Sequence, residues 1–396
     1  MELFLFYQYA VLLILSLLLV NYIANHILFR KTGKPYSPEQ KSTDLPLISI
    51  LVPARNEEEH IRICLNSLLK QDYPAFEIIV LDDNSTDKTY DIAESLSKKD
   101  ARLRVIKGKK LKSGWLGKSF ACHQLSQQAR GKILVFTDSD TLHFPHSVSS
   151  AVNSLISGNY GGISVFPQQI MVTIHERMMV PFGNFMILCF LPLLLVKKSK
   201  NPLFCTAIGQ YMLFRKEVYQ QFGGHKTIRK EILEDIHIAK LVKKTGHRFM
   251  IFDGTSNVYC RMYKNLDQVI KGYTKVLFAA FDYNFPNFLL AVIMITVLFL
   301  APFVFLPLTL IFNWPQLFTN IIAAQILIIF LMKIIYAVRF KTRGRDILLH
   351  PLSVAYLLLI AINSFCKCRF GAGLYWKDRV YDVTDEQDLK LIKHPK

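Results

Sequence analysis

The chain has 396 residues, with 48 Lys plus Arg against 30 Asp plus Glu (net +18), 51% hydrophobic residues and a positive mean hydropathy. That composition excludes a disordered chain, and the length allows two or three domains at roughly 150 residues each. Seven cysteines without a CxxC pair, and a single CxC at Cys366 and Cys368, support neither a disulfide framework nor a zinc module, so a reducing, cytosol-facing location fits better.

Leu3 to Ile23 is almost uncharged, and about 20 such residues are enough to cross a hydrocarbon core of about 30 Å. Arg30, Lys31 and Lys34 follow it and no basic residue precedes it, which predicts the N-terminus outside and residue 30 onward in the cytoplasm. A cleaved signal peptide would carry its charge first and close on a small-residue site, and neither is found. Residues 1–24 are therefore expected as an anchor and 25–45 as a linker. Beyond them, β-rich runs at Leu47–Val52, Glu77–Leu81, Leu103–Ile106 and Lys132–Phe136 alternate with stretches long enough for helices. This pattern predicts a parallel α/β sheet whose ligands lie beyond the carboxyl ends of the strands.

Carboxylates fall at those ends. Asp82-Asp83-Asn84-Ser85-Thr86-Asp87 ends the second run and reads equally as an Asx turn with a helix cap or as part of a binding site. Asp138-Ser139-Asp140 ends the fourth, and two carboxylates at a strand exit suit a hard divalent cation, Mg2+ or Mn2+. Gly114 to Ser119 contains GKS, but Lys112 stands where a P-loop needs glycine and no strand ends just before it. Lys118 can still neutralise a diphosphate. The basic residues from Lys98 to Lys112 form a solvated face suited to anionic lipid, and no nucleic-acid recognition module accompanies them.

Residues 178–196 are apolar but hold Pro181, Gly183, Asn184 and Pro192, and a crossing here would separate the carboxylates before and after it. An interfacial segment is expected instead. Glu234-Asp235 precedes the amphipathic run Ile238–Val242. It reads either as a dipole-favoured first helical turn or, for Asp235, as a base that takes the proton of an attacking hydroxyl. Three apolar segments follow at 287–312, 317–338 and 347–365, with Gln325 and Lys333 as their polar exceptions. Arg339, Lys341, Arg343 and Arg345 put residue 340 inside. Three full crossings would leave the basic tail 366–396 outside, so one of the three is expected to be re-entrant or interfacial, the Pro351-containing last segment being the first candidate.

Assembled, Val52-Pro53-Ala54-Arg55-Asn56-Glu57-Glu58, the Asp82–Asp87 turn, Asp138-Ser139-Asp140 and Glu234-Asp235 resemble the motifs of family 2 glycosyltransferases of the GT-A fold. GWLGKSFAC at 114–122, FGGHK at 222–226, RMY at 261–263, KGYTK at 271–275 and WKDRVY at 376–381 narrow the likeness to membrane-bound members acting on lipids. These are the diaponeurosporenoate (carotenoid acid) glycosyltransferases and hopanoid-associated relatives. The resemblance implies an α/β fold with a mostly parallel central sheet over 46–280, apolar helices at both ends, a nucleotide-sugar donor such as UDP-glucose, a lipid acceptor and a divalent cation. It places Pro53, Arg55, Asn56 and Glu57 in the donor loop, Asp82 and Asp83 on the uridine side, Asp138 and Asp140 around diphosphate and metal, and Asp235 beside Glu234 as base. It also implies a multi-pass protein of the cell membrane with its catalytic domain facing the cytoplasm.

One motif departs. Where processive synthases carry QxxRW this chain has Gln268-Val269-Ile270-Lys271-Gly272-Tyr273, leaving Gln268 and, one place late, an aromatic Tyr273 to stack on sugar or acceptor. A processive polysaccharide synthase is disfavoured by that change, and an inactive membrane scaffold by the intact DxD and ED pairs.

Overall fold

The structure is a computed structural model that describes residues 1–35, 45–370, 374–376, 379–381 and 391–392. Much of the expected linker and most of the expected tail lie outside the described residues. The chain forms two compact units, one from 29–170, 193–262 and 373–396, the other from 1–28, 171–192 and 263–372. The catalytic region expected over 46–280 is thus interrupted: 171–192 and 263–280 belong to the helical unit.

In the first unit eight strands make one sheet: β1 (Ile48–Ala54), β2 (Phe76–Asp82), β3 (Leu103–Lys107), β4 (Ile133–Thr137), β5 (Thr141–His143), β6 (Gly162–Gln169), β7 (Tyr211–Arg215) and β8 (Phe249–Cys260). Their order is β3-β2-β1-β4-β7-β6-β8-β5. The four strands expected from sequence form the parallel half, each within two residues of its expected bounds. They read as near-continuous apolar runs because Ile48, Ile50, Leu51, Ile78, Val80 and Leu134 are fully buried, as strands covered on both faces must be. Register makes this half useful. Ala54 pairs with Asp82 and Asp82 with Lys107, so the strand ends coincide on one edge. Antiparallel β7 sets Tyr211 against Thr137, delivering the turn before it to the same edge. The residues from 374 add a small sheet of β9 (Leu374–Trp376), β10 (Arg379–Tyr381) and β11 (Leu391–Ile392).

A polar knot fixes the parallel register from within. Ser49 Oγ donates to Glu77 Oε1 at 2.7 Å while the Arg130 backbone N–H reaches the same oxygen at 2.7 Å. Arg130 Nε donates to Oε2 at 2.9 Å and the Gly131 N–H to Ser49 Oγ at 2.8 Å, tying β1, β2 and the approach to β4. Gly131 is required there, since a Cβ would lie 2.5 Å from the Ser49 nitrogen.

In the second unit four helical stretches are long and apolar enough to cross a membrane: Glu2–Leu28, Phe285–Ile311, Gln316–Phe340 and Gly344–Phe370. The second passes through a π turn at Thr296–Leu300. The last, the first candidate for a re-entrant segment, contains an unbroken 21-residue α-helix from His350. Pro351 sits in its first turn, where the missing N–H has no intrahelical partner to lose. The 17-residue helix Ile174–Phe190 opens with a Thr173/Glu176 capping box. Its end is held by Asn25 Nδ2, which donates to the Leu188 and Leu191 carbonyls at 2.8 Å.

Burial alone would push Glu77 up, but Ser49 and Arg130 outweigh it and hold its carboxyl below the ordinary glutamate value. Its contribution is therefore present above the unfolded pKa of about 4.3 and is lost as pH falls through the lower folded one. Glu77→Ala, which strands the donors of Ser49 and Arg130, is expected to cost about 2–4 kcal/mol at pH 7. Thermal unfolding of the purified protein would show the loss, and the gap to wild type should narrow in acid.

Candidate active site

Two loops at the carboxyl edge are laced together. Arg55 Nη1 donates to the Asp83 and Asn84 carbonyls at 2.7 and 2.9 Å, and the Asn56 N–H donates to Ser85 Oγ at 3.1 Å. Asn56 Oδ1 accepts from the Thr86 N–H at 2.9 Å, and the Glu57 N–H reaches Thr89 Oγ1 at 2.7 Å. Asn56 (φ 50) and Asn84 (φ 55) both take the left-handed conformation, which asparagine tolerates better than most residues. The stretch Asp82–Asp87 divides between turn and strand exit. Asp87 accepts from the Thr89 N–H at 3.0 Å and is a turn residue, whereas Asp82 and Asp83 are buried at the strand exit. Asp82 Oδ2 accepts from the Ser85 N–H at 3.3 Å, while its Oδ1 is buried with no hydrogen-bond partner among the described residues.

An open cleft of about 580 Å³ is lined by Pro53, Arg55, Glu57, Asp83, Lys118, Asp138, Ser139 and Asp140. A deeper neighbouring pocket shares Pro53, Lys118 and Asp138 and adds Gly209, Glu234 and Asp235. Lys118 joins them. It occupies the first turn of the helix Gly117–Gln128, and its Nζ stands 2.8 Å from Asp138 Oδ1 and 3.0 Å from Glu234 Oε1. Burial opposes the ammonium, but Asp138 and Glu234 hold it well above the ordinary lysine range. Glu234 and Asp235 do form a first helical turn, as the dipole reading expects. Burial, and then the charge of Glu234, pushes Asp235 up to about 7, which suits a proton acceptor near neutral pH.

Two residues escaped the sequence reading. Gly209 is one: a Cβ there would meet Lys118 Nζ at 3.3 Å and Glu234 Oε1 and Asp235 Cβ at 3.4 Å, so glycine lets the three converge. No local signal marks it. Arg379 is the other, on β10 within the WKDRVY stretch already singled out. It clamps Asp83 with Nη1–Oδ2 at 2.6 Å and Nη2–Oδ1 at 3.2 Å, both side chains buried. Asp83, expected to face uridine, lines the cleft and also pairs with Arg379.

Gln268 and Tyr273 lie in the other unit, on the helix Leu266–Leu277. Gln268 is exposed, and its Oε1 accepts from the Lys264 N–H at 2.8 Å. Tyr273 is buried; its hydroxyl donates to the Met179 carbonyl at 3.0 Å and its ring packs on Tyr263. Both ends of that side chain are thus engaged within its own unit.

Lys118→Met, which removes the charge between Asp138 and Glu234, should weaken binding of a diphosphate-bearing ligand at least about tenfold and lower turnover by roughly 10²-fold. Titration calorimetry and single-turnover kinetics separate the two. Arg379→Ala leaves Asp83 buried and uncompensated, and roughly tenfold weaker binding of the same ligand is expected, with Arg379→Lys partly restoring it.

Residues 49–223 match the family model described as Glycosyl transferase family 2. The chain is 28% identical over 250 residues to the 4,4'-diaponeurosporenoate glycosyltransferase of Staphylococcus haemolyticus, covering 62% of this chain and 65% of that one. It is 27% identical over 345 residues to the protein of the same name from Staphylococcus aureus, covering 86% and 89%. It thus spans just under two thirds of the first relative and most of the second. Among solved structures, a mannosyltransferase from Pyrobaculum calidifontis in complex with GDP-Man and Mn2+ superposes with a TM-score of 0.53 at 17% identity, over 91% of this chain and 98% of that one. At that identity the likeness speaks for the fold alone, and the fold is GT-A. Fold, family match and relatives agree with one another: residues 49–223 match the family 2 glycosyltransferase model, and the chain as a whole resembles glycosyltransferases of the GT-A fold.

Proposed function

We propose that the protein is a membrane-bound inverting enzyme that moves a single sugar, glucose from UDP-glucose, to a lipid acceptor, a carotenoid acid by analogy with the substrate that both relatives are named for. The observation that carries this reading is the convergence of Lys118, Asp138, Glu234 and Asp235 below an open cleft. The buried Asp82 Oδ1, without a hydrogen-bond partner among the described residues, is an acceptor of the kind the imide N–H of a uracil needs. Lys118 supplies positive charge to a diphosphate. The acceptor oxygen forms its bond to the anomeric carbon as the bond from that carbon to the diphosphate oxygen breaks, and UDP leaves with the electron pair. Asp235 takes the proton when the acceptor is an alcohol; a carboxylic acid, ionised near neutral pH, brings none.

A divalent cation fits the residues present. Among the described residues no three His, Cys, Asp or Glu side chains form a cage, and Mg2+ or Mn2+ in such sites takes one or two carboxylates and completes its shell with phosphate and water. Asp138 and Asp140 are the carboxylates that would hold it. When bound, it supplies charge neutralisation to the leaving diphosphate. Basic residues after the first apolar helix and between the last two favour a cytoplasmic catalytic unit, and cysteine labelling from each side of the membrane tests that placement.

The direct test is incubation of the purified protein with labelled UDP-glucose and a carotenoid acid, followed by mass analysis of the lipid product. Failure to glycosylate any long-chain acid or alcohol would end this reading. Asp140→Ala should remove cation-dependent transfer while the protein stays folded, since a loop ligand is lost and no core packing. Asp235→Asn should lower transfer to an alcohol roughly 10²-fold or more with UDP affinity nearly unchanged. Transfer to an alcohol should rise with pH through about 7 as Asp235 loses its proton. A carboxylic acid acceptor should show no such limb.

A further inference from the structure

The helix Gln316–Phe340 carries two polar side chains in an otherwise apolar stretch, and they differ in kind. Gln325 is an ordinary buried amide: its Nε2 donates at 2.9 Å to the Gln8 carbonyl and to Gln8 Oε1. Lys333, only 8% exposed, makes no ion pair or hydrogen bond among the described residues. Its Nζ lies 4.8 Å from the ring centre of Phe185, 5.5 Å from Tyr336 and 6.0 Å from Phe182. The nearby carboxylate of Asp346 is engaged by Arg177 at 3.6 Å.

Two further polar groups meet on the same rings. Tyr22, fully buried, packs 5.5 Å from Phe185, and its hydroxyl has no hydrogen-bond partner among the described residues. His350, also fully buried, stands 6.1 Å from both Phe182 and Phe185; neither ring nitrogen makes a well-formed hydrogen bond, the one polar approach being to the Phe299 backbone.

Each ring attracts an ammonium only weakly, whereas taking the ion out of water costs more than such contacts return. Snorkelling, the ordinary fate of a lysine in an apolar helix, would carry the head to water; here aromatic rings cover it. With Asp346 engaged by Arg177, the buried cation beside the Tyr22 hydroxyl and the His350 ring has no anion of its own among the described residues. The position suits one carried by a lipid. Lys333 is seven residues before the helix ends at Phe340, about 10 Å along the axis, and that end leads into Lys341, Arg343 and Arg345.

We infer that Lys333, with Tyr22 and His350, forms a binding site for the anionic head of a lipid, a carboxylate or a phosphate, whose tail lies among the apolar helices. This goes beyond the transfer reaction, and because binding is read without donor, failure of the site and failure of the proposed activity are separate results.

The test uses the full chain in phosphatidylcholine nanodiscs with a diazirine-bearing long-chain fatty acid as probe and its methyl ester as control. The acid should crosslink to 174–190 or 316–340 at least ten times more than the ester, Lys333→Met should lose that labelling at least tenfold, and Lys333→Arg should retain most of it. Tyr22→Phe, a smaller change, should weaken it several-fold and keeps the test valid if Lys333→Met does not fold. Displacement by equimolar phosphatidylglycerol assigns the site to a phospholipid phosphate, and resistance to it assigns the site to a carboxylic acid; either supports an anion site. Equal labelling by acid and ester, or labelling of folded Lys333→Met at the wild-type level, overturns it.

Discussion

An ammonium group held between two carboxylates lets a strand exit and a distant helix start share one site. Without Lys118, Asp138 and Glu234 would be two half-buried carboxylates facing each other, and their repulsion would push β4 and the helix Glu234–Lys244 apart or force a proton onto one of them. With it, an opposite charge offsets that repulsion, and Asp235, pushed up to about 7, is the carboxyl whose proton can move near neutral pH. The rest of the edge serves this arrangement. The Glu77 knot holds the parallel strands in the register that brings their ends level, and Gly209 gives the lysine room.

The helical unit meets a different constraint. Helices that pack in an apolar setting gain little from burying more apolar surface, so close packing and a few internal hydrogen bonds define how they meet. Gln325 on Gln8 and Asn25 on the Leu188 and Leu191 carbonyls are such bonds, each linking segments far apart in the chain. Aromatic contacts fill the space between, as where Phe185 meets Tyr22, Phe182, Phe299 and Tyr336. Lys333 is conspicuous because it does not follow the rule that its neighbours obey.

Several motifs carried two meanings, and the structure separates them by position. Asp87 is a turn residue just before a helix while Asp82 Oδ1 is buried without a hydrogen-bond partner among the described residues; Glu234 and Asp235 sit at a helix start and also line the deep pocket. GKS opens a helix with no strand before it, so the P-loop likeness is spurious although Lys118 is central. Such doubling is expected where strand exits and helix starts are the places at which backbone geometry leaves polar groups to be used.

By itself the sequence determined the parallel half of the sheet, the loops at its edge and the long apolar helices, because continuous apolar runs and the turn residues that end them are local properties. It also marked Pro53, Arg55, Asn56, Glu57, Asp138, Asp140 and the ED pair by motif. The tertiary structure alone decided which of these meet. β5 to β8 are a mixed half that no period in the chain announces, and β7, running antiparallel, is what carries Gly209 under Lys118. Arg379 reaches Asp83 across most of the chain, and Tyr273 turns from the site to a backbone carbonyl of its own unit. Contacts of that kind depend on the register and crossing of elements far apart in sequence, and a single chain's residue order does not encode them in any local pattern.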